Sequence, residues 1–211
     1  MAGFCRLAFY HNIDNIGAEL FEYEQFNLGG THVAVINTVS VEEAEGNIKE
    51  AYDMFINNLG IIPKPLMMMS ASPAIFEQQL QRINYYTEHP TLGFALLCHI
   101  RYLVSQNLNY RFCTDFNEHI LKKQGLEDDD IRQMVADPTK SLLEEKDSAM
   151  LAFVVKAIKD PSANKAEEIK KLKEMGWEDR DLVDALAHGV NMIDHSIMME
   201  VFQMDQDCLV D

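Results

Sequence analysis

Cys113 is the residue of this 211-residue chain best placed for chemistry. It lies within Ser105-Gln-Asn-Leu-Asn-Tyr-Arg-Phe-Cys113-Thr-Asp-Phe-Asn117-Glu-His119. Asn109 is a good N-cap, so a helix starting at Tyr110 puts Cys113 in its first turn, where free backbone N–H groups and the macrodipole favour a thiolate. Arg111 adds positive potential there and Asp115 offsets it, which leaves the sign of the local field open. The competing reading of an isolated cysteine is a small buried hydrophobe.

Few other residues are spaced for proton or metal chemistry. His119 lies six residues past Cys113, more than a half-turn off its helical face. Asn117 is on that face at i+4, but an amide hydrogen-bonds without taking a proton near neutral pH. His188, Asn191 and His195 share a face at i, i+3 and i+7, a spacing open to a transition metal or to satisfied polar residues in a helical core; we read them as the latter. Glu88-His89 and Glu118-His119 have the wrong spacing for a di-iron site. The sequence holds no Gly-rich phosphate loop, nucleophile elbow or zinc-type cysteine pair, so no cofactor and no metal is assigned.

The pattern Tyr110-x-x-Cys113-x-x-x-Asn117, eight residues to Gly125 and then an acidic helix start (Leu126-Glu-Asp-Asp-Asp-Ile131), resembles the core of the carboxymuconolactone decarboxylase and alkylhydroperoxidase D superfamily. The family pattern is C-x-x-C-x-x-x-H followed by a Gly at the same distance. In its peroxidase branch the two cysteines form a redox dithiol, and the His relays protons with a Glu twelve residues before the first Cys. Carried across, Cys113 is the second Cys, Tyr110 stands for the first, Asn117 for the His and Cys98 for the Glu.

The resemblance implies an all-α, alkylhydroperoxidase D-like bundle over about residues 41–205, with Cys98 on the preceding helix facing the reactive sulfur. Cys98 and Cys113 are then candidates for a relocated thiol pair, with a packed, unreactive Cys98 as the alternative. It also implies a homo-oligomer and a small-molecule substrate. Cys113, Cys98, Tyr110, Asn117 and His119 form the candidate site. Three functions follow: a thiol-dependent antioxidant related to peroxidases and using Cys113, a non-redox member acting in small-molecule binding or assembly, or a lactone decarboxylase-like enzyme.

Composition narrows the partners. Hydrophobic residues make up 47% and charged residues 25%, as in ordinary globular chains. A net charge of -16, from 18 basic against 34 acidic residues, argues against nucleic acid and against an anionic membrane surface. No apolar run reaches the roughly 20 residues that span a bilayer, and the N-terminus lacks a signal-peptide pattern. We expect a cytoplasmic protein. Four irregularly spaced cysteines (Cys5, Cys98, Cys113, Cys208) do not form a secreted disulfide framework. Twelve methionines, Met67-Met68-Met69 among them, read as adaptable core filler.

Residues 1–39 have no clean period and are expected to form an N-terminal extension or arm, with Thr31 to Val39 a short strand or extended segment. Residues 40–211 are expected to be one all-α domain. Ser40 and Glu43 form a capping box for a helix that Gly60 stops. Ser72-Pro73 opens a helix to about Thr87, and His89-Pro90 opens the next, through Val104. Further helices are expected from Tyr110 to Gly125, Glu127 to Ala136, Glu145 to Lys159, Ala163 to Met175 and Asp179 to Asp205. The last of these reads as centrally buried.

Overall fold

The element that positions the candidate site is a helix apolar nearly all round, Phe94–Asn107 (α4 below), which such a pattern dictates must be enclosed by its neighbours. The computed structural model describes residues 35–163 and 165–204. Nine α-helices and no strand occur among them: α1 (Gly46–Leu59), α2 (Lys64–Met69), α3 (Pro73–Thr87), α4 (Phe94–Asn107), α5 (Arg111–Lys123), α6 (Asp128–Ala136), α7 (Glu145–Lys159), α8 (Ala166–Glu174) and α9 (Asp179–Val201). The expected segment from Thr31 lies outside these residues up to Ala34, and Val35 to Val39 are irregular. Cys5 and Cys208 also lie outside them.

The described residues divide into two units, 35–89 with 199–204, and 90–198. In the first, α1 packs on α3 with Tyr52 edge-on to Phe76 at 6.2 Å between ring centroids. The Tyr52 hydroxyl donates to Val39 O at 3.0 Å and Val39 N–H donates to Ser70 Oγ at 2.8 Å, which ties the irregular segment down. Ser40 and Glu43 do bond each other, but as a turn ahead of the helix, which starts at Gly46. Gly60, at φ 75°, stops α1 by donating its N–H to Ile56 O.

In the second unit α4 packs on α5 and α7. Its start falls at Phe94, four residues beyond Pro90, because residues 90–92 form bends and Gly93 is the N-cap. Its end corrects the reading of Asn109. Asn109 sits at φ 54°, Tyr110 N–H donates to Ser105 O at 2.9 Å, and Asn109 N–H donates to Gln106 O at 3.2 Å. That is a left-handed helix stop on α4, a role asparagine tolerates better than most residues, and Tyr110 becomes the N-cap of α5. Gly125, at φ 95°, ends α5 the same way, with Leu126 N–H on Leu121 O. Trp177 is buried at the α7 start, its Nε1–H on Lys146 O at 3.0 Å and the Lys146 ammonium 4.1 Å from its ring centre.

Close packing sets one residue of α9. A Cβ on Gly189 would lie 2.7 Å from Ile158 Cδ1, 2.8 Å from Val154 Cγ1 and 3.3 Å from Ile100 Cγ2. Overpacking of this kind costs about 1–3 kcal/mol, while removing a helical glycine returns only about 1 kcal/mol. Gly189→Val is therefore expected to lower the urea midpoint, and a midpoint equal to wild type would contradict this close approach.

α9 itself is not enclosed as the sequence suggested. One face is buried through Leu182, Ala185, Met192 and Met199, while Val183, Val190 and Ile197 on another are exposed. The helix ends at Val201 rather than Asp205, and Gln203 follows at φ 54°.

His99, on α4, is buried at 2% exposure, and its Nδ1–H donates to Ala95 O at 2.8 Å. Its Nε2 has no hydrogen-bond partner among the described residues. Burial holds its pKa below the ordinary 6.5, only partly opposed by the Ala95 contact. The unfolded chain then binds the proton more readily, so this contribution to stability is complete above pH 6.5 and is lost as pH falls below it. His99→Leu is expected to flatten the acid limb of a stability-against-pH curve in that window. An unchanged slope would show that another group sets the limb.

Candidate functional site

The link Leu108 to Tyr110 turns the chain so that α4 and α5 form a helical hairpin. Cys113 is the third residue of α5, so it remains in the first turn although the cap differs from expectation. It is buried at 6% exposure, and Asn117, one turn on, at 1%. Tyr110, at the N-cap, is buried at 2%. Cys98, on α4, is fully buried. Neither cysteine is in a disulfide.

Asn117 joins the two helices. Its Nδ2–H donates to Cys113 O at 2.7 Å, and its Oδ1 accepts from Arg101 Nε–H at 2.8 Å. The Cys98 Sγ–H points to the same Oδ1 at 3.7 Å, while Arg101 Nη2–H donates to Cys98 Sγ at 3.1 Å. The third guanidinium nitrogen, Nη1, lies 3.3 Å from His188 Nε2. Arginine can only donate, so His188 Nε2 carries a lone pair and Nδ1 holds the proton. Phe94, exposed at 38%, closes this side with its ring 5.8 Å from the guanidinium carbon.

The electrostatics follow from burial. Desolvation pushes the Cys98 thiol above its ordinary 9.0, and Arg101 and Gln124 oppose this without reversing it. Gln124 approaches from the end of α5 without closing a well-formed hydrogen bond, its Nε2 buried and unpartnered among the described residues. Cys98 therefore rests as a thiol at neutral pH, ready to donate to Asn117. Tyr102, next to Arg101 on α4, is pushed up to about 12 by burial and by Glu118, whose carboxylate accepts from its hydroxyl at 3.5 Å.

The remaining candidates lie elsewhere. His119 is exposed, roughly 200° around α5 from Asn117 at 100° per residue, and burial with the Lys123 and Lys122 charges holds its pKa down. His188 joins the site through Arg101, whereas Asn191 and His195 bond each other at 3.1 Å between Nδ2 and Nε2. No group of three His, Cys, Asp or Glu side chains suited to a metal occurs among the described residues. Arg101 was missed in the sequence. The signal for it was there: it is the one charged residue of α4, set in an otherwise apolar run.

The arrangement sets the Asn117 amide and the Arg101 guanidinium on the Cys98 sulfur, with the His188 imidazole against the guanidinium and Cys113 one turn before Asn117 on α5.

No protein-family model matches the chain, and no curated protein matches it. Solved structures do. One is the alkylhydroperoxidase AhpD core of an uncharacterized peroxidase-related protein from Ralstonia eutropha JMP134, with a TM-score of 0.70, 16% identity and coverage of 83% of this chain and 93% of that one. Another is an uncharacterized peroxidase-related protein from Silicibacter sp. TM1040, with a TM-score of 0.67, 14% identity and coverage of 83% and 94%. At such identities the likeness is one of architecture. With its helices in this order and the α4–α5 hairpin at the site, the chain has the all-α fold of the alkylhydroperoxidase AhpD core.

Proposed function

We propose that this protein is a thiol-dependent, peroxidase-related antioxidant in which Cys113 attacks a small hydroperoxide and Cys98 resolves the product. The observation that supports the reading is the pair of cysteines, neither in a disulfide, on the two helices of one hairpin, with the Asn117 amide bonding the Cys98 thiol and the Cys113 backbone carbonyl. The first turn of α5 offers Cys113 backbone N–H groups that stabilise a thiolate. The peroxidase-related proteins of the same architecture are consistent with it.

The chemistry balances in atoms and electrons. Cys113 thiolate attacks the terminal peroxide oxygen, the O–O bond breaks, and the alkoxide takes a proton and leaves as an alcohol. The sulfur becomes a sulfenic acid. The Cys98 sulfur then displaces the hydroxyl, which leaves as water with the Cys98 proton, and an S–S bond forms. A dithiol reductant returns two electrons. Free thiols of this kind persist in a reducing compartment, which is why we place the protein in the cytoplasm. No helix among the described residues is long and apolar enough to cross a membrane.

The test is steady-state consumption of hydrogen peroxide or an alkyl hydroperoxide with a small dithiol. The expected result is one dithiol oxidised per peroxide, at a rate proportional to protein. Consumption no faster than in buffer alone would overturn the reading.

One observation favours a second reading, a non-redox binder of small anions. Among the described residues Arg101 has no carboxylate within ion-pair distance, and its contacts are a thiol, an amide, an imidazole and a ring. A guanidinium so placed is a fork for a carboxylate or oxyanion. A chain inactive on peroxide, yet raised in melting temperature by a small carboxylate and no longer so in Arg101→Gln, would establish it.

A further inference from the structure

Arg111, Arg132 and Arg180 are exposed, and each holds a carboxylate, from Asp115, Asp129 and Asp181. Arg101 inverts this. It is half-buried, where a charge most needs a counterion, and none lies within ion-pair distance among the described residues. Its Nε–H, one Nη2–H and one Nη1–H go to Asn117 Oδ1, Cys98 Sγ and His188 Nε2. A guanidinium has five N–H donors, so one remains on each of Nη1 and Nη2, the two atoms from which arginine forks onto a carboxylate. The three contacts fix the side chain before a ligand arrives, so little rotamer freedom is lost on binding. Beside the charge lies an apolar surface: the Phe94 ring, 38% exposed, is 5.8 Å from the guanidinium carbon. Asn117 brings both close to the first turn of α5, with its Oδ1 on Arg101 and its Nδ2–H on Cys113 O.

We propose that Arg101 and Phe94 form the specificity subsite of the reaction, whose substrate is an organic hydroperoxide carrying a carboxylate on an apolar body. The carboxylate takes the two remaining N–H groups, the body lies on Phe94 and the peroxide end reaches Cys113. This rests on the thiol reading above and adds no step to it. The O–O bond breaks, the dithiol supplies two electrons, and the products are the matching hydroxy acid and water. In a chain of net charge -16 long-range forces repel an anion, so the preference arises from contact at this subsite and not from steering.

The test compares cumene hydroperoxide bearing a para-carboxylate with its methyl ester, with dithiol in excess. Wild type is expected to have a kcat/KM about 10–100-fold higher for the acid, the worth of bonds to a charged group. In Arg101→Gln that ratio is expected to fall to about one. The ratio is internal to each protein, so a general loss of rate from disturbing Cys98 does not imitate the result. Phe94→Ala, at an exposed helix start, is expected to lower kcat/KM for both compounds relative to hydrogen peroxide. Equal turnover of acid and ester by wild type would overturn the subsite and leave the thiol reading standing, whether or not the Arg101 variant folds. No turnover of any peroxide would overturn the thiol reading and the substrate assigned here with it. Calorimetry with para-isopropylbenzoate and its amide then separates the two failures: binding of the acid alone would leave Arg101 as the carboxylate site of a non-redox binder.

Discussion

Cys113→Ser is expected to reduce peroxide no faster than buffer, a loss of at least about 100-fold, with little change in melting temperature. The hydroxyl that replaces the thiol is a weak nucleophile unless a base removes its proton. Asn117 is an amide engaged at both ends, and the His188 Nε2 lone pair is turned to Arg101. Serine is close in size to cysteine, so packing around this 6%-exposed position should persist and circular dichroism should match wild type. Cys98→Ser is expected to behave differently. It should reduce one peroxide per chain and stop, leaving a sulfenic acid on Cys113 that dimedone captures. A Cys113→Ser chain with wild-type turnover would move the chemistry to another sulfur.

Asn117→Leu is expected to lower the unfolding free energy by about 2–4 kcal/mol, because it removes bonds to a charged donor and leaves buried polar groups unmatched. The side chain is 1% exposed and makes three contacts at once: it donates to Cys113 O and accepts from Arg101 and Cys98. Leucine keeps the branched shape and is larger, so no cavity opens and the loss combines hydrogen bonding with overpacking. Arg101 is only half-buried and regains some hydration, which keeps the expected cost below that of a fully buried ion. Urea denaturation followed by helical ellipticity measures it. An unchanged midpoint would mean that the amide does not hold α4 to α5.

Helices with strong local signals were legible in the sequence to the residue. α7 runs Glu145–Lys159 and α3 runs Pro73–Thr87, where apolar spacing, Pro at the first turn and a Pro after the end agree. The short α2 escaped because Lys-Pro-Leu-Met-Met-Met has no period to read. Asn109 misled because asparagine serves equally as an N-cap and as a left-handed stop, and only the Ser105 and Gln106 carbonyls decide between them. α9 read as central because its apolar residues spread over two faces, and periodicity does not distinguish a second buried face from one left open. In the site, the resemblance named Cys98, Cys113 and Asn117, which share one hairpin. Arg101 and the link to His188, 87 residues away along the chain, depend on tertiary packing that no local pattern carries.

The central claim is tested most directly by treating the reduced chain with one equivalent of hydroperoxide, blocking free thiols and mapping its peptides without reductant. The account predicts a single new bond joining Cys98 to Cys113, reversed by dithiol. Recovery of both peptides with their thiols still alkylated, after the peroxide has been consumed or left untouched, would contradict it.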